Sequence, residues 1–231
     1  MKQLRLASLF SGAKDSTLAL YRAVKSGHSV RFIVTIVSEN PDSYMYHTPN
    51  TWLTTLQAEA MGVPAIIQKT KGIKEKELLD LKKALAVISK DIDGVVVGAI
   101  ESRYQGDRVE KVCKELGLEV VKPLWHDEPE GMWEEMLEAG FEVMIVSVAC
   151  EGLGKEWLGR IVDRKAYEEL KEKSMKNRFH LSGEGGEFES LVLDCPMFRK
   201  KVVISDREIV WDSETSSGSL VVKSAGLEKK P

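Results

Sequence analysis

Five short apolar runs alternate with four helical stripes over the first half of the chain, and no other feature narrows the fold as much. Leu4–Phe10 reads as a buried strand, and Val30–Val37 is β-branched. Pro64–Lys69 is short, Gly94–Gly98 has a glycine at each end, and Leu118–Val121 closes the series. Between them lie Thr17–Ser26, Thr51–Met61, Lys74–Lys90 and Gln105–Leu116. The third stripe carries Leu78, Leu79, Leu81, Leu85 and Ile88 at helical spacing. Gly27, Gly62 and Gly117 stand where helices should stop. Strands and helices in this alternation build a parallel sheet covered on both faces, so the expected class is α/β. Ligands of such sheets sit at the C-terminal strand ends. That singles out Ser11–Ser16, Ser38–Asn50, Lys69–Ile73 and Ala99–Asp107.

The pattern changes after Pro123-Leu124-Trp125. A helix over Met132–Ala139, an apolar strand over Phe141–Ala149 and a charged helix near Lys165–Lys176 come next. Four strand-like segments follow: Phe188–Asp194, Lys200–Ser205, Arg207–Asp212 and Ser219–Ser224. A boundary near Pro123–Glu130 is expected, dividing residues 1–125 from a smaller α/β domain of residues 126–231. The strand-rich end offers an edge on which a second copy could pair to form a homodimer.

Composition excludes several classes. The 231 residues are 43% hydrophobic and 30% charged, a globular balance. No apolar run approaches the roughly 18 residues of a membrane-spanning helix. The N-terminus, through Ser16, has no signal-peptide core. Cys113, Cys150 and Cys195 are too widely spaced for a zinc site or a disulfide framework, and none has a nucleophile context. A reducing cytoplasm is the expected location. A net charge of -3 argues against stable nucleic-acid binding.

The strongest local signal is Ser11-Gly12-Ala13-Lys14-Asp15-Ser16-Thr17, between the first strand and the first helix. A glycine lets backbone approach an anion, and successive N–H groups can surround phosphate oxygens. The helix N-terminus adds positive potential there. Ser11, Ser16 and Thr17 supply hydroxyls and Lys14 a charge, while Asp15 either holds Mg²⁺ on phosphates or complements the helix dipole. The loop resembles the S-G-G-x-D-S pyrophosphate loop of N-type ATP pyrophosphatases, with Ala13 in place of the second glycine. The resemblance implies a Rossmann-like sheet of the HUP type. It also implies cleavage of ATP between its α- and β-phosphates.

Two further segments are similar to the diphthine–ammonia ligases. One is Gly98-Ala99-Ile100-Glu101-Ser102-Arg103-Tyr104-Gln105 with Arg108; the other is Gly183-Glu184-Gly185-Gly186-Glu187-Phe188-Glu189-Ser190. Cys150–Gly154 with Leu158-Gly159-Arg160 matches more weakly. Such enzymes amidate diphthine, a modified histidine of translation elongation factor 2, from ATP and ammonium, releasing AMP and pyrophosphate. The resemblance implies that Ser11, Gly12, Ala13, Lys14, Asp15, Ser16, Thr17 and Gly98 bind ATP, with Mg²⁺ on Asp15. Ile36, Val37 and Ser38 would lie near the adenine. Lys14, Arg108 and Glu187 are the candidate catalytic residues. Glu101, Tyr104, Gln105, Glu184, Phe188 and Glu189 form the candidate substrate side. One acidic residue would hold ammonium or the trimethylammonium of diphthine. Phe188, Trp125 or Trp157 would add an aromatic face. The bland alternative for the three glutamates is a solvated acidic loop.

The chain beyond the first domain is too short for a glutaminase beside a substrate domain, so ammonia would come free or from a partner. The rival readings are another adenylating ligase, a nucleotide sensor without catalysis, and a tRNA-thiolating enzyme. The last is disfavoured by the lack of a cysteine pair.

Overall fold

The computed structural model describes residues 2–38, 50–72, 76–100 and 103–230. The chain divides into two compact units, Met1–His126 and Asp127–Pro231.

The first unit runs β1 (Arg5–Leu9), α1 (Lys14–Lys25), β2 (Ser29–Ser38), α2 (Leu53–Met61), β3 (Ala65–Thr70), α3 (Lys76–Ile88), β4 (Gly94–Val96), α4 (Arg103–Glu115) and β5 (Glu119–Val121). The five strands are parallel in the order β3-β2-β1-β4-β5. Ala7, Val34, Ile36, Val95 and Val97 pack with Leu81, Leu85 and Ile88 of α3 and Val109, Val112 and Cys113 of α4. Successive strand side chains point to opposite faces, so Leu6, Ile33 and Val96 are buried on the other pleat, toward α1 and α2. This is the α/β sheet expected from the alternation. Its order reverses between β1 and β4, and the connections leaving those strands diverge to opposite faces. That divergence opens a crevice at the C-terminal strand ends.

Helix α1 starts three residues earlier than its apolar spacing suggests, with Ala13 as the extended N-cap. Lys14, Asp15 and Ser16 therefore belong to its first turn rather than to the loop.

The second unit runs α5 (Pro129–Glu138), β6 (Glu142–Val148), a short 3₁₀ turn (Lys155–Trp157), α6 (Arg164–Asn177), β7 (Phe188–Asp194), β8 (Lys200–Asp212) and β9 (Ser217–Lys229). Its sheet is antiparallel, in the order β7-β6-β9-β8. Asp163 caps α6 by accepting the Ala166 N–H at 2.7 Å. Segments 200–205 and 207–212, expected as two strands, are one strand, β8. A bulge at Asp206 shifts the register without ending the hairpin. The charges of Asp206, Arg207 and Glu208 sit on exposed strand positions, not in a turn.

Among the described residues, no helix is long and apolar enough to cross a membrane.

Candidate active site

The first-unit site is built where β1 ends. Phe10 donates its N–H to the Val34 carbonyl at 2.9 Å, and Thr35 Oγ1 donates to the Phe10 carbonyl at 2.8 Å. These bonds tie the strand end to β2, and the chain then turns through Gly12 at φ +81°. Only glycine adopts that conformation without strain. The Ser11 N–H reaches Ser16 Oγ at 3.3 Å, and the two serine hydroxyls lie 3.1 Å apart. Ser16 Oγ and Thr17 Oγ1 donate to the Ala13 carbonyl at 3.1 and 2.8 Å. The turn is thus cross-braced by the short hydroxyl side chains that the motif contains.

Ala13 makes no side-chain cap to α1. An alanine N-cap costs a helix about 1 kcal/mol against serine or aspartate. It also leaves the first-turn N–H groups without the usual side-chain acceptor, an arrangement suited to an incoming anion. Lys14 is buried, and its Nζ lies 2.8 Å from Asp15 Oδ2 and 3.0 Å from Oδ1. The cation and the carboxylate expected to act on phosphates are therefore brought together as an ion pair.

Gly98 follows β4, across the crevice. A β-carbon there would lie 2.8 Å from both the N and the Cα of Ser16. The backbone after β4 thus touches the first turn of α1, and only glycine permits that approach. Ile36, Val37 and Ser38 end β2. The Ile36 side chain is committed to the core with α3 and α4. Arg108 is half-buried on α4. Glu101 and the side chains of Tyr104 and Gln105 lie outside the described residues.

Sequence reasoning passed over Gln57. This side chain of α2 is fully buried and donates Nε2–H to the Gly12 carbonyl at 3.0 Å. A glutamine within a helical stripe reads as a surface residue. The buried, polar face of α2 becomes evident only once α2 packs behind the loop.

In the second unit, the glycine-rich acidic segment is a closed, self-bonded loop. Glu187 accepts the His180 N–H on Oε1 at 2.9 Å and the Gly185 N–H on Oε2 at 2.8 Å. Its own carbonyl accepts the Ala149 N–H at 2.8 Å, joining the loop to the end of β6. Trp133 of α5, buried, donates Nε1–H to the Leu181 carbonyl at 3.0 Å. His180 Nδ1 and Ser182 Oγ are 2.7 Å apart. Gly183, at φ +72°, leaves room for Phe188, whose carbonyl would lie 2.8 Å from an added β-carbon. Glu184 is exposed and Glu189 half-buried on β7.

This arrangement alters two expectations. Each carboxylate oxygen of Glu187 accepts one backbone N–H, which fixes this side chain within the loop. The aromatic face fares worse. Phe188 is a core residue, 3% exposed. Trp157 is fully buried with the Arg160 guanidinium 4.3 Å from its ring, and Lys122 lies 4.3 Å from the ring of Trp125. Each is buried or already carries a cation of this chain.

The cysteines are poor nucleophiles. Burial, and secondarily the charge of Glu187, pushes the Cys150 thiol up to about 11. Burial raises Cys113 and Cys195 to about 12. Thiols this far above neutrality carry almost no thiolate. Among the described residues, no group of three or more His, Cys, Asp or Glu could hold a metal ion.

Both units match known proteins. Residues 4–120 match the diphthamide synthase N-terminal domain, and residues 128–226 match its C-terminal domain. The chain belongs to the diphthamide synthase family. It is similar to the human diphthine–ammonia ligase, with 35% identity over 91% of this chain and 86% of that protein. The zebrafish (Danio rerio) diphthine–ammonia ligase is 35% identical over 91% and 90% of the two chains. The Schizosaccharomyces pombe protein of that name is 33% identical over 98% of this chain and 40% of its own length. Family membership thus extends through the phosphate loop and the acidic loop alike.

Proposed function

We propose that this chain is an ATP-dependent carboxylate–ammonia ligase. It amidates diphthine on translation elongation factor 2 with ammonium, giving diphthamide, AMP and pyrophosphate. The carrying observation is that the family match runs through both units. One unit holds the phosphate loop and the other the acidic loop. Relatives named diphthine–ammonia ligase, matched over most of their length, support the same substrate. The first unit is assigned to ATP and the second to the protein substrate, in the cytoplasm.

The reaction has two displacements. A carboxylate oxygen of diphthine attacks the α-phosphorus, and the bond from the α-phosphorus to the bridging oxygen breaks, so pyrophosphate leaves. Ammonium gives one proton to a carboxylate of the acidic loop, the nitrogen of the resulting ammonia attacks the acyl carbon of the adenylate, AMP leaves with the electrons of the acyl–oxygen bond, and the new amide nitrogen releases its surplus proton to solvent. Backbone N–H groups at the start of α1 and the hydroxyls of Ser11 and Ser16 suit the phosphates, and Lys14 suits the charge growing on the leaving pyrophosphate. Mg²⁺ commonly takes one or two carboxylates together with phosphate oxygens, and Asp15 fits that donor set. Arg108 is assigned to an oxyanion of substrate or nucleotide. Glu184 and Glu189 are the carboxylates assigned to the cationic groups, ammonium and trimethylammonium, with Glu187 holding their loop in shape.

The test is AMP release from ATP with Mg²⁺ and ammonium, with and without elongation factor carrying diphthine. AMP formed only with the factor is the expected result. ATP bound without AMP under either condition would make the chain a nucleotide sensor instead.

A further inference from the structure

We infer that Gln57 is a positioning residue that sets the direction of the peptide group opening the phosphate loop. The inference rests on the ATP reading of that loop. Gln57 lies 45 positions from Gly12, yet its amide serves the loop in two ways. Nε2–H donates to the Gly12 carbonyl at 3.0 Å. Oε1 occupies the space beside Gly12, only 2.3 Å from where a β-carbon would stand. The carbonyl of Gly12 is therefore drawn toward α2. In a trans peptide the C=O and the following N–H point in opposite directions. Holding the Gly12 carbonyl on α2 thus aims the Ala13 N–H away from α2, toward the hollow of the turn, where it makes a long bond of 3.4 Å to Ser11 Oγ that a phosphate oxygen could replace. Glycine tolerates nearly any backbone angle. Without the amide the Gly12–Ala13 peptide is therefore the part of the turn most able to rotate. Rotation would replace an N–H donor with a carbonyl lone pair facing the phosphates.

A packing role and a positioning role separate experimentally. Gln57→Leu keeps the bulk and removes the donor. The expected result is a rise of about tenfold or more in the Kd for ATP and for pyrophosphate, the effect of one hydrogen bond to a charged group. The KM for ATP should rise in parallel, with kcat at saturating ATP changed much less. Thr54→Val is the control for α2, since the Thr54 hydroxyl donates to the nearby Thr51 carbonyl at 2.7 Å and not to the phosphate loop. It should leave ATP affinity unchanged. If Gln57→Leu does not fold, Gln57→Met keeps the length of the side chain without a donor and should show the same loss. Folded Gln57 variants that bind ATP and pyrophosphate as tightly as wild type would overturn the inference. Wild-type protein that binds neither would overturn the ATP reading of the loop, and this inference with it.

Discussion

The two loops of this protein are built on opposite principles. The phosphate loop uses hydroxyls, an amide and a glycine to brace its own backbone, and its N-cap Ala13 puts no side-chain acceptor on α1. The acidic loop turns its central carboxylate inward, where Glu187 bonds two of the loop's own N–H groups. The first is shaped to receive an anion. The second holds one carboxylate in place with two protein donors. The lesson is that a charged residue in a functional-looking motif can serve shape rather than chemistry. Hydrogen-bond partners decide which.

Replacing Lys14 should test the contrast most severely. Lys14→Ala removes the buried cation of the phosphate loop, and AMP formation should fall by about a hundredfold to a thousandfold, as for loss of an electrostatic stabiliser. Circular dichroism should remain unchanged. Retained activity would make Lys14 merely the partner of Asp15. Next in size is Gly98→Ala, which drives a methyl into the backbone of Ser16. Overpacking against backbone should cost about 1–3 kcal/mol of stability and weaken ATP binding together. A thermal melt and an ATP titration read both.

Glu187→Gln sharpens the comparison from the other side. The amide can accept one of the two N–H groups but not both, a cost of about 1.5 kcal/mol. Hydrogen exchange over residues 180–187 should quicken, with a modest loss of activity at saturating ammonium. A general base would instead show about a hundredfold or greater loss with loop protection intact.

Much of the first unit's fold was legible in the sequence, for physical reasons. Buried parallel strands read as continuous apolar runs, so β1, β2 and β4 were visible, and glycines marked helix ends. The boundaries were less so. Lys14, Asp15 and Ser16 looked like loop residues because the apolar spacing begins only at Thr17, yet they open the first turn of α1, where Ser16 bonds back to Ala13. Asp206 looked like a break between two strands because sequence alone does not reveal a bulge within a continuous hairpin strand. Gln57 was invisible because its partner lies far away in the chain. Phe188 and Trp157 were offered as ligand faces because an aromatic in a motif looks the same whether buried or exposed.

The smallest expected effect concerns the thiols. An unfolded cysteine ionises near 9.0, whereas folded Cys150 does so near 11 and Cys113 and Cys195 near 12. The folded state therefore holds more protons above pH 9. Stability should be constant with respect to these groups below that pH, fall as pH rises from 9, and lose their contribution fully by about 12. At pH 7.5, iodoacetamide should label the native protein slowly and leave ligase activity unchanged. Rapid labelling with loss of activity would contradict the structural assignment of Cys150.

The central claim is most directly tested by following nitrogen. Elongation factor carrying diphthine, ATP, Mg²⁺ and ¹⁵N-ammonium are incubated with the protein, and the modified histidine peptide is read by tandem mass spectrometry. The account predicts one ¹⁵N on the carboxyl-derived amide, dependent on ATP and matched by an equal amount of AMP. AMP without label in the peptide, or label without ATP, would contradict it.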